Sequence, residues 1–245
     1  MDLITDFEYI KNRKYDKINP TVILIHGLLC DKTTWYQTNK QMPIKFLDNI
    51  KKKFSVVIFT IPASYYLLPI DDLVYQIYNL LVKNEVSVPY IIMGHSYGGL
   101  ISYKFATSYQ KHTIGLFLID SSTKTEAFID RINSDNKKEL SELEYKINVS
   151  ILKNLKNIVD GNDFPEDIVV NVHFDMKDIN LSRNKKRHLY DKDKMEKDNI
   201  ELMEYHKKLI SRNINSKMTI HSVGHFIHHK DYDNIIKNII LFSKK

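Results

Sequence analysis

Short apolar runs and helical patterns alternate through the first half of the chain. Thr21-Val22-Ile23-Leu24-Ile25 is β-branched and apolar without alternation, the texture of a strand covered on both faces. Ser55 to Thr60 repeats it and is stopped by Pro62. Leu73, Val74, Ile77, Leu80 and Leu81 then recur at helical spacing, behind two aspartates that favour a helix N-terminus. Pro89 precedes a third apolar run, Tyr90 to Met93, and Ile114 to Asp120 makes a fourth. Strands alternating with helices predict the α/β class, with a mostly parallel sheet flanked by crossover helices.

The texture changes after Ser122. Residues 124 to about 167 are polar and lysine-rich, with no strand signal. Leu140, Leu143, Ile147, Ile151, Leu155 and Ile158 recur there at steps of three and four, which predicts one amphipathic helix with Gly161 as its terminator. A helical excursion between sheet strands, with an apolar face that needs something to cover, is expected to form a small cap. Ile168 to Phe174 restores the strand pattern. Residues 182 to 198 read as an exposed charged loop with some helix, 201 to 210 as helix, and Lys217 to His221 as a last short strand. Asn234 to Phe242 closes the chain as an amphipathic helix. No internal repeat is present, and 245 residues suit one domain spanning 1–245.

Composition narrows the class. The apolar fraction of 43% and the charged fraction of 27% are those of an ordinary globular protein. A net charge of +6 raises the question of nucleic acid, but the 36 basic residues are interleaved with 30 acidic ones, as in Tyr190-Asp191-Lys192-Asp193-Lys194. That pattern is a solvated surface and not a phosphate-tracking stripe, so no nucleic-acid partner is expected. No apolar run approaches the roughly 20 residues of a membrane span, and Met1 to Asp6 lacks the layout of a secretory leader. The single Cys30 permits no internal disulfide, and a reducing cytoplasm is the expected location.

Tyr90-Ile91-Ile92-Met93-Gly94-His95-Ser96-Tyr97-Gly98-Gly99 carries the chemistry. It reads as a buried strand, a sharp turn displaying one serine, and a helix. Glycines two residues either side of Ser96 let the backbone pass where a side chain would crowd it. Ile25-His26-Gly27-Leu28-Leu29 follows the first central strand, and Gly224-His225-Phe226-Ile227-His228 follows the last. Together the H-G turn, the G-x-S-x-G elbow and the late histidine segment resemble the α/β-hydrolase superfamily over nearly the whole chain.

The resemblance implies Ser96 as nucleophile and His225 as general base, because a serine hydroxyl attacks only as a base removes its proton. His221, His228 and His229 compete for the second role, but His221 lies within a strand and the other two begin a charged run. It implies backbone N–H groups of Leu28 and Tyr97 as oxyanion donors. The third member is open between Asp120, Asp175 and Asp178. Asp120 ends a clean buried strand and is preferred; many family members carry the acid in a later G-x-x-D turn, which the segment His173 to Asp178 lacks. A serine at 96 argues against the haloalkane dehalogenases and epoxide hydrolases, whose family nucleophile is aspartate.

The activity so implied is hydrolysis of a carboxylic ester or related small acyl substrate, without cofactor or metal. Acyl transfer to another acceptor, C–C bond hydrolysis and non-catalytic binding are the alternatives. Trp35, Tyr65 and Tyr66 fit either an apolar pocket or ordinary packing, and Cys30 fits a small buried apolar position.

Overall fold

A computed structural model of the chain describes residues 4–14, 19–38, 40–135, 140–176 and 192–244. Its centre is one sheet built from β1 (Thr5–Ile10), β2 (Thr21–Ile25), β3 (Val56–Thr60), β4 (Tyr90–His95), β5 (Thr113–Ile119), β6 (Val169–Asp175) and β7 (Lys217–His221). The spatial order is β1-β3-β2-β4-β5-β6-β7, with β1 antiparallel to β3 and every other pair parallel. The helices are α1 (Phe46–Ile50), α2 (Ile70–Lys83), α3 (Tyr97–Ser108), α4 (Glu126–Asp135), α5 (Glu142–Asn154), α6 (Lys192–Ile210), α7 (Ile227–Lys230) and α8 (Tyr232–Ile240). Among the described residues no helix is long and apolar enough to cross a membrane.

Strand periodicity sorts the core into two layers. Ile23, Ile25, Val57, Phe59, Tyr90 and Ile92 join the layer under α2, α3 and α5. Their neighbours Val22, Leu24, Val56, Ile58, Ile91 and Met93 face the other way, toward α1, α8 and Trp35. Each fully buried aliphatic side chain contributes about 1.5–3 kcal/mol, so the central strands must be apolar on both sides. On α2, Ile70, Leu73, Val74, Ile77 and Leu81 make the inward stripe. Most of α3 is buried, as expected of a helix packed on several sides.

The apolar runs do not announce β1. It is an edge strand whose residues Asp6 and Glu8 are exposed, so its pattern is mixed. The single helix expected over Leu140 to Ile158 is also corrected. A capping box of Ser141 and Glu144 starts α5 at Glu142, and the helix tightens into a 3-10 turn over Leu155–Asn157. Leu143 is therefore on the outer face, 43% exposed, and a separate α4 comes first. Gly161 opens a second 3-10 turn instead of closing the helix. The expected loop at 182–198 is helix from Lys192 onward, continuous with residues 201–210; residues 182–191 lie outside the described residues.

The β6–β7 edge is polar inside. Asn238 donates to His173 Nε2 (3.4 Å), His173 and His221 join through Nδ1 and Nε2 (3.0 Å), and His221 Nδ1 meets Asp231 Oδ2 (2.8 Å). One set of tautomers satisfies the whole chain: Nδ1–H on both imidazoles, each donating toward Asp231. The carboxyl ends of β2, β4, β5, β6 and β7 all open on one rim of the sheet, where ligands bind in open α/β folds.

Candidate functional site

Ser96 links β4 to α3 at φ 53°, ψ −126°, a conformation costing a non-glycine residue about 1–3 kcal/mol. The surroundings hold it there. Its N–H donates to Ile119 O (3.1 Å), and its carbonyl accepts from Gly99 (2.9 Å) and Ser122 (3.0 Å). The expected glycine crowding is present. A Cβ on Gly94 would lie 2.2 Å from Gly98 O, and one on Gly98 would lie 2.3 Å from His26 O. The turn after β2 is thereby pressed onto the start of α3, and a Cβ on Gly27 would come within 3.2 Å of Ser96 Cβ.

That turn is fastened by His26, which is fully buried. Its Nδ1–H donates to Gly27 O and its Nε2 accepts from the Ile61 N–H, each at 2.8 Å. Burial lowers its pKa, so the neutral tautomer persists. The Gly27 carbonyl also accepts from Cys30 N–H (3.1 Å) and Tyr66 OH (3.4 Å). Because a trans peptide sends C=O and N–H to opposite sides, the Leu28 N–H turns away from this cluster. Among the described residues it has no acceptor. Tyr97, as the first residue of α3, has no intrahelical acceptor for its N–H either.

Asp120 and His225 meet at the ends of β5 and β7. His225 Nδ1 lies 2.5 Å from Asp120 Oδ2, with the side chains 44% and 18% exposed. Asp120 sits at φ 40°, another of the non-glycine positions at positive φ, and its N–H donates to His173 O at 2.7 Å. The turn before His225 uses Gly224 at φ 91°, a left-handed conformation that favours glycine. Ser96 Oγ has no hydrogen-bond partner among the described residues. It is related to His225 through its neighbour His95, whose ring centroid is 4.5 Å from that of His225. His95 Nε2–H donates to His225 O at 3.0 Å. Its pKa falls to about 3, chiefly through burial and next through the His225 charge, so it stays neutral.

The other candidates fall elsewhere. Asp175 is 8% exposed; its Oδ1 accepts from Val223 and Gly224 N–H (both 2.8 Å) and it does not touch the His225 ring. Asp178 lies outside the described residues. His221 belongs to the polar chain described above. His228 and His229 are not part of a solvated run. His228 is fully buried against Trp35 (centroids 4.8 Å), and His229 Nε2 donates to Thr34 O at 2.8 Å. Trp35 packs in the core on Phe46, and Tyr66 packs edge-on against Tyr97. Cys30 is half-buried, with its thiol pKa raised by burial. Among the described residues no group of three or more His, Cys, Asp or Glu could hold a metal. The contacts of His26, His95 and Asp175 were not readable in sequence, where the only signal was their place at strand ends.

This architecture is the α/β-hydrolase fold. No protein-family model and no curated protein sequence matches the chain. Solved structures do. A probable hydrolytic enzyme of Pseudomonas aeruginosa PAO1 is similar at a TM-score of 0.68 and 11% identity, over 96% of this chain and 88% of that one. A carboxylesterase structure from the thaumarchaeon Nitrososphaera gargenis gives 0.65 and 13%, over 97% and 94%. The enol-lactonase of Burkholderia xenovorans LB400 gives 0.62 and 11%, over 98% and 96%. At these identities the likeness is one of fold.

Proposed function

We propose that this chain is a serine hydrolase acting on a carboxylic ester or related acyl substrate through an acyl-enzyme. The observation that carries the reading is the 2.5 Å contact between His225 Nδ1 and Asp120 Oδ2, on the strand-end rim where Ser96 is held at φ 53°. With its Nδ1–H committed to Asp120, the His225 imidazole has its lone pair on Nε2, the form a general base requires.

In this mechanism Ser96 Oγ attacks the carbonyl carbon as its proton passes to His225 Nε2. The oxyanion is received by the N–H groups of Leu28, which has no acceptor among the described residues, and of Tyr97, which has no intrahelical one, beside a serine wedged against Gly27. Collapse breaks the ester C–O bond, and His225 returns the proton to the leaving oxygen. Water, deprotonated by His225, then attacks the acyl carbon; carboxylic acid leaves and Ser96 regains its proton. Asp120 keeps the imidazole oriented and stabilises its protonated form. Residues 124–167, with α4 and α5, act as the cap that shapes the acyl pocket. Neighbours of the same fold include a carboxylesterase and an enol-lactonase, which supports an ester-like substrate.

The test is covalent labelling by a fluorophosphonate. Wild type is expected to label, and Ser96→Ala to remain unlabelled while keeping its fold. A folded wild type that does not label would overturn the reading.

A further inference from the structure

The loop that delivers His225 is short and built around a glycine at positive φ, so it needs anchors to stay in one place. Asp175 supplies them from the end of β6. Its Oδ1 accepts from Val223 N–H and Gly224 N–H, both at 2.8 Å, and its own N–H donates to Asp120 Oδ1 at 3.3 Å. One residue thus grips the His225 loop with its side chain and Asp120 with its main chain. His95 holds the other side, donating from Nε2–H to the His225 carbonyl at 3.0 Å. Lys230 Nζ adds a contact to Val223 O at 2.6 Å.

We propose that Asp175 is a positioning residue: it clamps the Val223-Gly224 turn so that His225 meets Asp120, and it is not itself the partner of the imidazole. The clamp rests on the reading of His225 as the base, and it makes a demand the alternative does not. What matters at 175 is an acceptor oxygen, whereas the acid facing an imidazole must be a carboxylate. Asp175→Asn keeps an acceptor and Asp175→Ala removes it.

The experiment compares both variants with wild type in fluorophosphonate labelling rate, kcat and KM on a short-chain aryl ester, and amide exchange at Val223 and Gly224. Asp175→Ala is expected to lose about 10²-fold in labelling rate and kcat at unchanged KM, the scale of a misplaced catalytic group. Its two amides should exchange faster, while Asp175→Asn stays within about fivefold of wild type in every readout. Equal damage by Asn and Ala would overturn the clamp and make Asp175 the acid; a silent Asp175→Ala would overturn it too. Should Asp175→Ala fail to fold, Asp175→Asn decides alone, and a loss beyond about tenfold there is fatal. A wild type that does not label defeats the hydrolase reading only, because amide exchange still tests the clamp.

Discussion

The Ile61 N–H donates to the Nε2 of His26 at 2.8 Å, tying the loop after β3 to the loop after β2 through one neutral imidazole. The same ring donates from Nδ1 to Gly27 O, so a single buried side chain sets the turn that presents Leu28. This is a histidine chosen for its ability to accept and donate at once.

Replacing that ring by His26→Leu should therefore hurt twice. It leaves the buried Ile61 N–H without an acceptor, a loss of about 1–3 kcal/mol in a denaturant titration. It also frees the Gly27-Leu28 turn, so ester turnover should fall further than stability alone explains. A variant with wild-type kcat would show that this turn does not serve the site.

Asp120→Asn should reduce kcat/KM by about 10³–10⁴-fold, because an amide cannot hold the imidazole in the same tautomer or stabilise its protonated form. Steady-state kinetics on an aryl ester check this, with circular dichroism confirming the fold. A loss under tenfold would place the acid elsewhere.

Gly98→Ala should be among the most damaging single-methyl additions in the chain. The new Cβ would lie 2.3 Å from His26 O and 2.4 Å from Ile25 O, both main-chain atoms that cannot swing aside. Overpacking of this kind costs roughly 1–3 kcal/mol or more. A thermal midpoint equal to wild type would contradict the close packing of the two turns.

Buried histidines predict sensitivity to acid. Burial lowers His95 and His173 to about 3 and His206 to about 4, against about 6.5 for an unfolded histidine. Below pH ~6.5 the unfolded chain takes up protons that the folded one refuses. Their stabilising balance is thus intact above that pH and is lost as pH falls, on the order of 1 kcal/mol per histidine per pH unit. His206 packs on Phe174 (centroids 5.7 Å), with both ring nitrogens unpaired among the described residues. His206→Leu should leave the thermal midpoint at pH 8 close to wild type and flatten its decline between pH 6.5 and 5. An unchanged decline would refute the assignment.

The central strands were legible because burial on both faces demands unbroken apolar runs such as Val22-Ile23-Leu24-Ile25. The turn at Ser96 was legible because Gly94 and Gly98 answer local steric needs. β1 was hidden, since an edge strand with Asp6 and Glu8 in water has no such constraint. The single long helix over 140–158 failed because Ser141 and Glu144 form a start signal inside the periodic stretch, and spacing alone does not register a cap. His228 was misread for a related reason. Two adjacent histidines before Lys230 look solvated, yet an imidazole beside Trp35 and Phe46 behaves as an aromatic core residue. Asp120 at the end of β5 could be singled out from sequence as a strand-end carboxylate, while the contacts of Asp175 to Val223 and Gly224 needed three-dimensional neighbours.

The imidazole pair at the sheet edge has a mechanical consequence. β7 offers the sheet little apolar identity: Lys217 and Ile220 face water, and only His221 is fully buried. Hydrophobicity would tolerate sliding such a strand by one notch, but the slide would swing His221 to the opposite face and part it from both His173 and Asp231. His221 works as an indexing pin. Four residues downstream comes His225, so the pin that sets the notch of an outer strand also fixes how far the chain reaches before it delivers that side chain.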